Sequence, residues 1–176
     1  MLQTHPYTAF VPHKARYLIL GSFPAKEAFD PTNHLRIWFY ANNHRNQFWS
    51  ILENVYHTPL KTRRQMQTLF TNLSIAITDI IYQCERKKGK SSDANLTNIV
   101  YAVKNINRIL NTNPIFQIYF TSHFVETKFR RLFKKFIQKH PQITLITLPS
   151  PSPRYTQMTK IEKTRKYTQL LPVKTL

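Results

Sequence analysis

The chain has 176 residues, 41% of them hydrophobic and 13% aromatic, a content that favours one packed domain over 1–176 and excludes a disordered tail. Its 26 Lys+Arg against 8 Asp+Glu leave a formal net charge of +18, which opposes compaction by self-repulsion and attracts polyanions, nucleic acid before an acidic membrane. The single cysteine, Cys84, excludes a disulfide framework and a cysteine-ligated cluster, and no apolar run is long enough for a signal or membrane span, so a cytoplasmic setting is expected, nucleoid-associated in a prokaryote.

In chain order, 16–21 (RYLILG) is a short apolar run closed by one of only two glycines, which predicts a buried strand entering a tight turn. Residues 46–56 (NQFWSILENVY) place Phe48, Ile51, Leu52 and Val55 at helical spacing behind Asn46, a good capping residue. The alternating, β-branched stretch 73–79 (LSIAITD) predicts a second strand. Leu96, Ile99, Val100, Val103, Ile106 and Leu110 fall on one stripe and predict a long helix over 93–110. A third strand follows at 116–121, and Ser122 caps a basic helix running to about His140. Residues 143–148 form a fourth strand, which leads into PSPSPRY at 149–155 and a helix over about 157–171. Strands alternating with helices predict a parallel sheet covered on both faces, with ligands bound beyond the carboxyl ends of its strands. Gly21 to Ala25, Asp79, Thr121–Ser122 and 149–155 would line that rim.

Among these segments, 38–49 (WFYANNHRNQFW) interleaves stacking rings with amide and cationic donors, a mixture that can read a nucleobase by its face and edges. Phe48 and Trp49 are expected in the core. Tyr40 and Asn46 stand open between base contact and a local role in turn or cap. The turn Gly21-Ser22-Phe23-Pro24 permits close backbone approach, though an ordinary strand-to-loop turn needs the same residues. The stiff loop at 149–154 offers Ser150, Ser152 and backbone N–H groups to a phosphodiester, or serves only as a rigid connection. Basic clusters at 86–90, 130–139 and 160–166 add nonspecific phosphate affinity. The eight acids are spread singly along the chain, and the histidines lack paired-ligand spacing, so neither a metal nor a cofactor is expected.

Five segments in order carry a resemblance. LGSFPA (20–25), YANNHRNQFWSIL (40–52), ITDIIYQCERKKGKSSDANL (77–96), YFTSHFVETKF (119–129) and LPSPSPRY (148–155) together resemble the uracil-DNA glycosylase superfamily. Within it they are most similar to the mismatch-specific uracil and hypoxanthine-type branch. The resemblance implies an α/β fold, a three-layer α/β/α sandwich with a central four-stranded parallel sheet. It also implies base excision from DNA by a monomer: the damaged nucleotide is flipped out and its N-glycosidic bond hydrolysed without metal or cofactor. Asn46 matches the residue that positions water or contacts the base, and Asp79 is the leading assisting carboxylate, with capping of the turn after its strand as its plainer role. Gly21, Ser22, Phe23 and Tyr40 would contact the base; Ser150, Ser152, Arg154 and Tyr155 would contact DNA, Arg154 or Tyr155 filling the gap left in the duplex.

Two departures from the pattern stand out. Phe23 occupies the place where relatives commonly carry an Asp or Asn that positions the attacking water. Leu148 occupies the place of a His or Asn that steadies the leaving group. The expected activity is that of a monofunctional DNA glycosylase acting on uracil or hypoxanthine. The alternative is a noncatalytic nucleic-acid-binding protein that retains the scaffold, with an unrelated basic RNA-associated protein ranked last.

Overall fold

The computed structural model describes residues 2–32, 38–41, 45–87 and 93–173. Its strands, in chain order, are Leu2–Thr4 (β1), Tyr17–Gly21 (β2), Ile75–Asp79 (β3), Ile81–Arg86 (β4), Leu96–Tyr101 (β5), Gln117–Phe120 (β6) and Thr144–Thr147 (β7). Four of them form a parallel sheet in the order β3-β2-β6-β7, with Leu18 opposite both Ala76 and Ile118, and Gly21 opposite Asp79. All four were legible as short apolar runs.

Alternation along these strands builds two cores. Ile19, Ile75, Ile77 and Tyr119 face helices Phe48–Tyr56 (α1), Arg63–Asn72 (α2) and Lys160–Leu170 (α6), where they meet Trp49, Leu52, Phe70 and Tyr167. Leu18, Leu20, Ala76, Ile118 and Phe120 point the other way, toward Val103–Thr112 (α3), His123–Leu132 (α4) and Lys134–Lys139 (α5), and pack with Ile106, Ile109, Val125 and Phe129. The result is a three-layer α/β/α sandwich. Burial of apolar side chains on both faces of every central strand explains why those strands read as near-continuous hydrophobic runs.

The expected long helix over 93–110 is corrected. Asp93–Asn95 forms a single 3-10 turn, β5 follows, and the helix begins only at Val103. With β1 and β4, β5 makes a small antiparallel sheet in the order β1-β4-β5. The β4–β5 register shifts twice, and Asn98 takes a left-handed φ of 49°. These irregularities break the period of two, so the apolar residues of the strand fall in line with those of α3 and imitate one stripe. The basic helix after Ser122 is likewise two helices, α4 and α5, divided at Phe133, whose buried ring stacks on Phe129 at 4.5 Å. Ser122 does cap α4, its hydroxyl accepting the Val125 N–H at 3.4 Å.

α6 is fastened to the sandwich by tyrosines. The Tyr167 hydroxyl donates to the Pro149 carbonyl (3.0 Å), Tyr119 to Leu170 (2.8 Å) and Tyr56 to Pro172 (2.9 Å). Among the described residues no helix is long and apolar enough to cross a membrane.

Candidate active site

The carboxyl ends of β3, β2 and β6 lie side by side and present Asp79, Gly21 and the following Thr121. Tyr40 reaches across them. Its hydroxyl donates toward Asp79 Oδ1 at 3.4 Å and lies 3.4 Å from Thr121 Oγ1. A methyl group at position 21 would overlap both the Tyr40 hydroxyl and Asp79 Oδ1, so only glycine lets the two side chains meet over the strand end. Tyr40 itself holds a left-handed φ of 59°, a conformation that costs a bulky residue about 1–3 kcal/mol and persists only when its surroundings impose it. Here they do. Trp38 and Phe39 are buried on its N-terminal side, Trp38 stacks on Trp49 at 5.7 Å, and the Trp49 indole N–H donates to the Phe39 carbonyl. Burial first, and the Asp79 charge next, push the Tyr40 phenol well above its ordinary value, which keeps its proton in place as a donor.

Asp79 is almost fully buried and does more than end its strand. Its Oδ2 lies 2.9 Å from His5 Nε2, in a pair whose side chains are 7% (His5) and 3% (Asp79) exposed. His5, which sequence reasoning missed, arrives from the segment after β1, with its Nδ1 2.8 Å from the Tyr7 carbonyl. A second carboxyl stands nearby. Asp93 hydrogen-bonds with Ser22 and is raised above the usual carboxylate range, chiefly by burial, against the lowering influence of that bond.

Opposite this floor stands the loop at 149–155, which is firmly held. Gln47 N–H donates to the Pro151 carbonyl at 2.9 Å, and buried Lys163 donates from α6 to the Ser152 carbonyl (3.1 Å) and to Gln47 Oε1 (3.0 Å). The same ammonium sits 5.3 Å from the centre of the Tyr155 ring. Burial lowers its proton affinity, as expected for a cation whose hydrogen-bond partners are neutral oxygens. Replacing Lys163 with Met should cost about 1–3 kcal/mol, since two acceptors lose their charged donor. It should also open 149–155 to proteolysis before the rest of the fold. Denaturant titration combined with limited proteolysis would measure both effects.

Between floor and loop lies a cleft of about 1880 Å³, lined by residues from every strand end of the parallel sheet. Ser22, Phe23, Tyr40, Asn46, Asp79, Ser150, Ser152, Arg154 and Tyr155 all line it, and Gly21 lies beneath Tyr40 and Asp79. Lys26, Arg45, Arg154 and Lys166 supply positive charge around it. The cap position of α1 falls on Gln47, not on Asn46 as the sequence suggested; Asn46, one residue before it, accepts the Phe48 N–H through Oδ1 at 2.9 Å, leaving its amide NH2 as the group to offer a ligand. Phe23 is mostly buried, stacked on Phe29 at 5.5 Å with Arg86 5.9 Å above its ring. Leu148 is buried as well, so apolar packing fills both positions. Ser150 and Ser152 accept the N–H groups of Ser152 and Arg154, which leaves their hydroxyl hydrogens to donate. Arg154 is exposed, whereas Tyr155 is half-buried beside Lys163, so of the two only Arg154 is free to reach outward from the loop.

Two members of the basic clusters prove to be internal. Arg86 donates to the Pro24 carbonyl at 2.7 Å, and Lys163 holds the loop. Residues 42–44 and 88–90, the latter part of the first basic cluster, lie outside the described residues. No group of three or more His, Cys, Asp or Glu able to hold a metal ion occurs among the described residues.

No model of a known protein family matches the chain, and no curated protein matches it. Solved structures do. One is the solution NMR structure of a proposed uracil DNA glycosylase from Methanosarcina acetivorans, which is 17% identical, covers 97% of this chain and 99% of its own, and superposes with a TM-score of 0.65. The likeness is one of fold, and it runs through nearly the whole of both chains.

Proposed function

We propose that the chain is a monofunctional DNA glycosylase that removes a deaminated base, uracil or hypoxanthine, after the nucleotide has swung out of the duplex into the cleft. The strongest support is the convergence of five sequence-distant segments on one cavity at the carboxyl edge of a sandwich shared with a proposed uracil DNA glycosylase. Cleft position, ring stacking and charge fit the chemistry. Lys26, Arg154 and Lys166 meet phosphates, Arg154 fills the vacated place in the stack, and Tyr40 and Phe23 bracket the base. The bond from C1′ to the base nitrogen breaks with its electron pair leaving on the base. Water adds to C1′, and the proton it gives up ends on the departed base anion, so that the products are a neutral base and the abasic sugar hydroxyl. The Asn46 amide stabilises the departing base or holds the water, while Asp79 and the DNA phosphates stabilise the positive charge that grows on the sugar.

A second reading has a specific observation behind it. Phe23 and Leu148 place apolar packing where relatives carry polar catalytic groups, as a lesion-binding protein without chemistry would. Single-turnover assays on duplexes carrying uracil, hypoxanthine or a G·T mismatch, followed by alkali to reveal abasic sites, separate the two. Asn46→Asp is the informative variant: its carboxylate still accepts the Phe48 N–H but offers no amide hydrogens. If the amide works on the base or water, Asn46→Asp and Asn46→Ala both lose about a hundredfold in rate. Only Asn46→Ala also loses about 1 kcal/mol of stability with that hydrogen bond. Full activity in Asn46→Asp would reduce Asn46 to its local backbone hydrogen bond. Tight, salt-sensitive binding with no abasic product on any lesion would favour the second reading.

A further inference from the structure

We infer that His5 is the positioning residue of the cleft: it holds Asp79 so that one carboxylate oxygen, backed by the Tyr40 hydroxyl, faces the sugar of the extruded nucleotide. This rests on the proposed function for the identity of the ligand, but it concerns a residue that does not itself line the cleft. The imidazole and the carboxylate are both buried, 2.9 Å apart. The ring is fixed from three other sides: edge-on to Phe23 at 5.8 Å, against Phe39 at 5.5 Å, and by its Nδ1 at the Tyr7 backbone. With Oδ2 engaged by His5, Oδ1 is directed to the Tyr40 hydroxyl above Gly21. A chain of polar contacts thus runs from the segment after β1, across the ends of β3 and β2, to Thr121 after β6. Burial of the two polar groups costs desolvation that offsets much of what their hydrogen bond gains, so the contact contributes little to stability. Its larger consequence is geometric. A carboxylate tethered at one oxygen has one rotamer, and a fixed negative group needs no reorganisation when positive charge develops beside it.

Binding tests this without requiring catalysis. Duplexes carrying a pyrrolidine abasic analogue, cationic at the sugar, are compared with duplexes carrying its neutral tetrahydrofuran counterpart, by fluorescence anisotropy at fixed salt. The wild-type protein should prefer the cationic probe by about tenfold or more, the effect of one well-placed charge near a protein surface. Asp79→Asn should bring that ratio to about one. His5→Leu should lower it at least threefold with unchanged affinity for undamaged duplex, and His5→Gln, which keeps a donor near the Nε2 position, should restore most of it. A wild-type ratio of one overturns the inference. So does a wild-type-like ratio in His5→Leu, or a loss in His5→Gln equal to that in His5→Leu. Should His5→Leu fail to fold, the His5→Gln ratio decides alone: retention supports the role and collapse to one refutes it. Absence of abasic product with a preserved, His5-dependent ratio would sink the glycosylase reading and leave this one standing.

Discussion

Asp79→Asn is expected to lower the single-turnover rate of base release by about a hundredfold to a thousandfold while leaving affinity for undamaged duplex nearly unchanged. The substitution keeps the volume of the side chain and removes only its charge. What remains is an amide between the His5 imidazole and the Tyr40 hydroxyl, two groups that now face a partly donating neighbour. The buried hydrogen bond to His5 is weakened, so stability should fall too, by roughly 1–2 kcal/mol. Rate and stability can be told apart by measuring the rate well below the melting temperature, under enzyme excess. A variant that melts earlier but excises at the wild-type rate would leave Asp79 the plainer role of tying the N-terminal segment to the end of β3.

Gly21→Ala should be nearly as damaging through a different cause. The added methyl meets the Tyr40 hydroxyl and Asp79 Oδ1 at distances that no side-chain atom tolerates, and Tyr40 has little room to retreat because its backbone is already in the left-handed region and its ring lies 4.6 Å from Phe48. Overpacking of this kind costs up to about 3 kcal/mol. For a chain of this size that corresponds to a melting temperature lower by about 6–12 °C, readable by calorimetry. Excision should fall with it, because relief of the clash requires Tyr40 or Asp79 to leave its place. Gly21→Ala combined with Tyr40→Phe removes one of the two clashing hydroxyl and carboxyl groups. Partial recovery of stability in the double variant would locate the strain.

How much of this was legible before any coordinates follows from the range of each interaction. The central strands announced themselves because burial on both faces demands apolar residues at every position, a signal carried within five residues. The Ser122 cap and the Asn46 bond to the Phe48 N–H are local as well, each closing on a backbone N–H two or three residues on, although the cap position of α1 itself is Gln47. β4 hid because its pairing shifts register twice, so that IYQCER never alternates cleanly. α2 hid behind RRQMQT, where Met66, Leu69 and Phe70 form a narrow buried stripe among polar neighbours. His5 gave no sign at all. Its partner lies 74 positions away, and nothing in a single histidine near the start of a chain distinguishes a buried hydrogen-bond partner from a solvated side chain. The same holds for Lys163, read among basic residues as part of an outward face, yet enclosed by backbone carbonyl, amide and aromatic ring.

Tyr17 of β2 pairs with Gln117 of β6, so the middle of the sheet joins stretches made far apart in time on the ribosome. Ordering so long an intervening loop is slow, and the wall carrying Pro149 to Tyr155 is synthesised later still. A growing polypeptide of this composition is therefore a sticky polycation well before it owns any selective recess. The recess at the carboxyl edge of the sheet closes in one late step, when the segment carrying Pro149 to Tyr155 docks on Gln47 and Lys163.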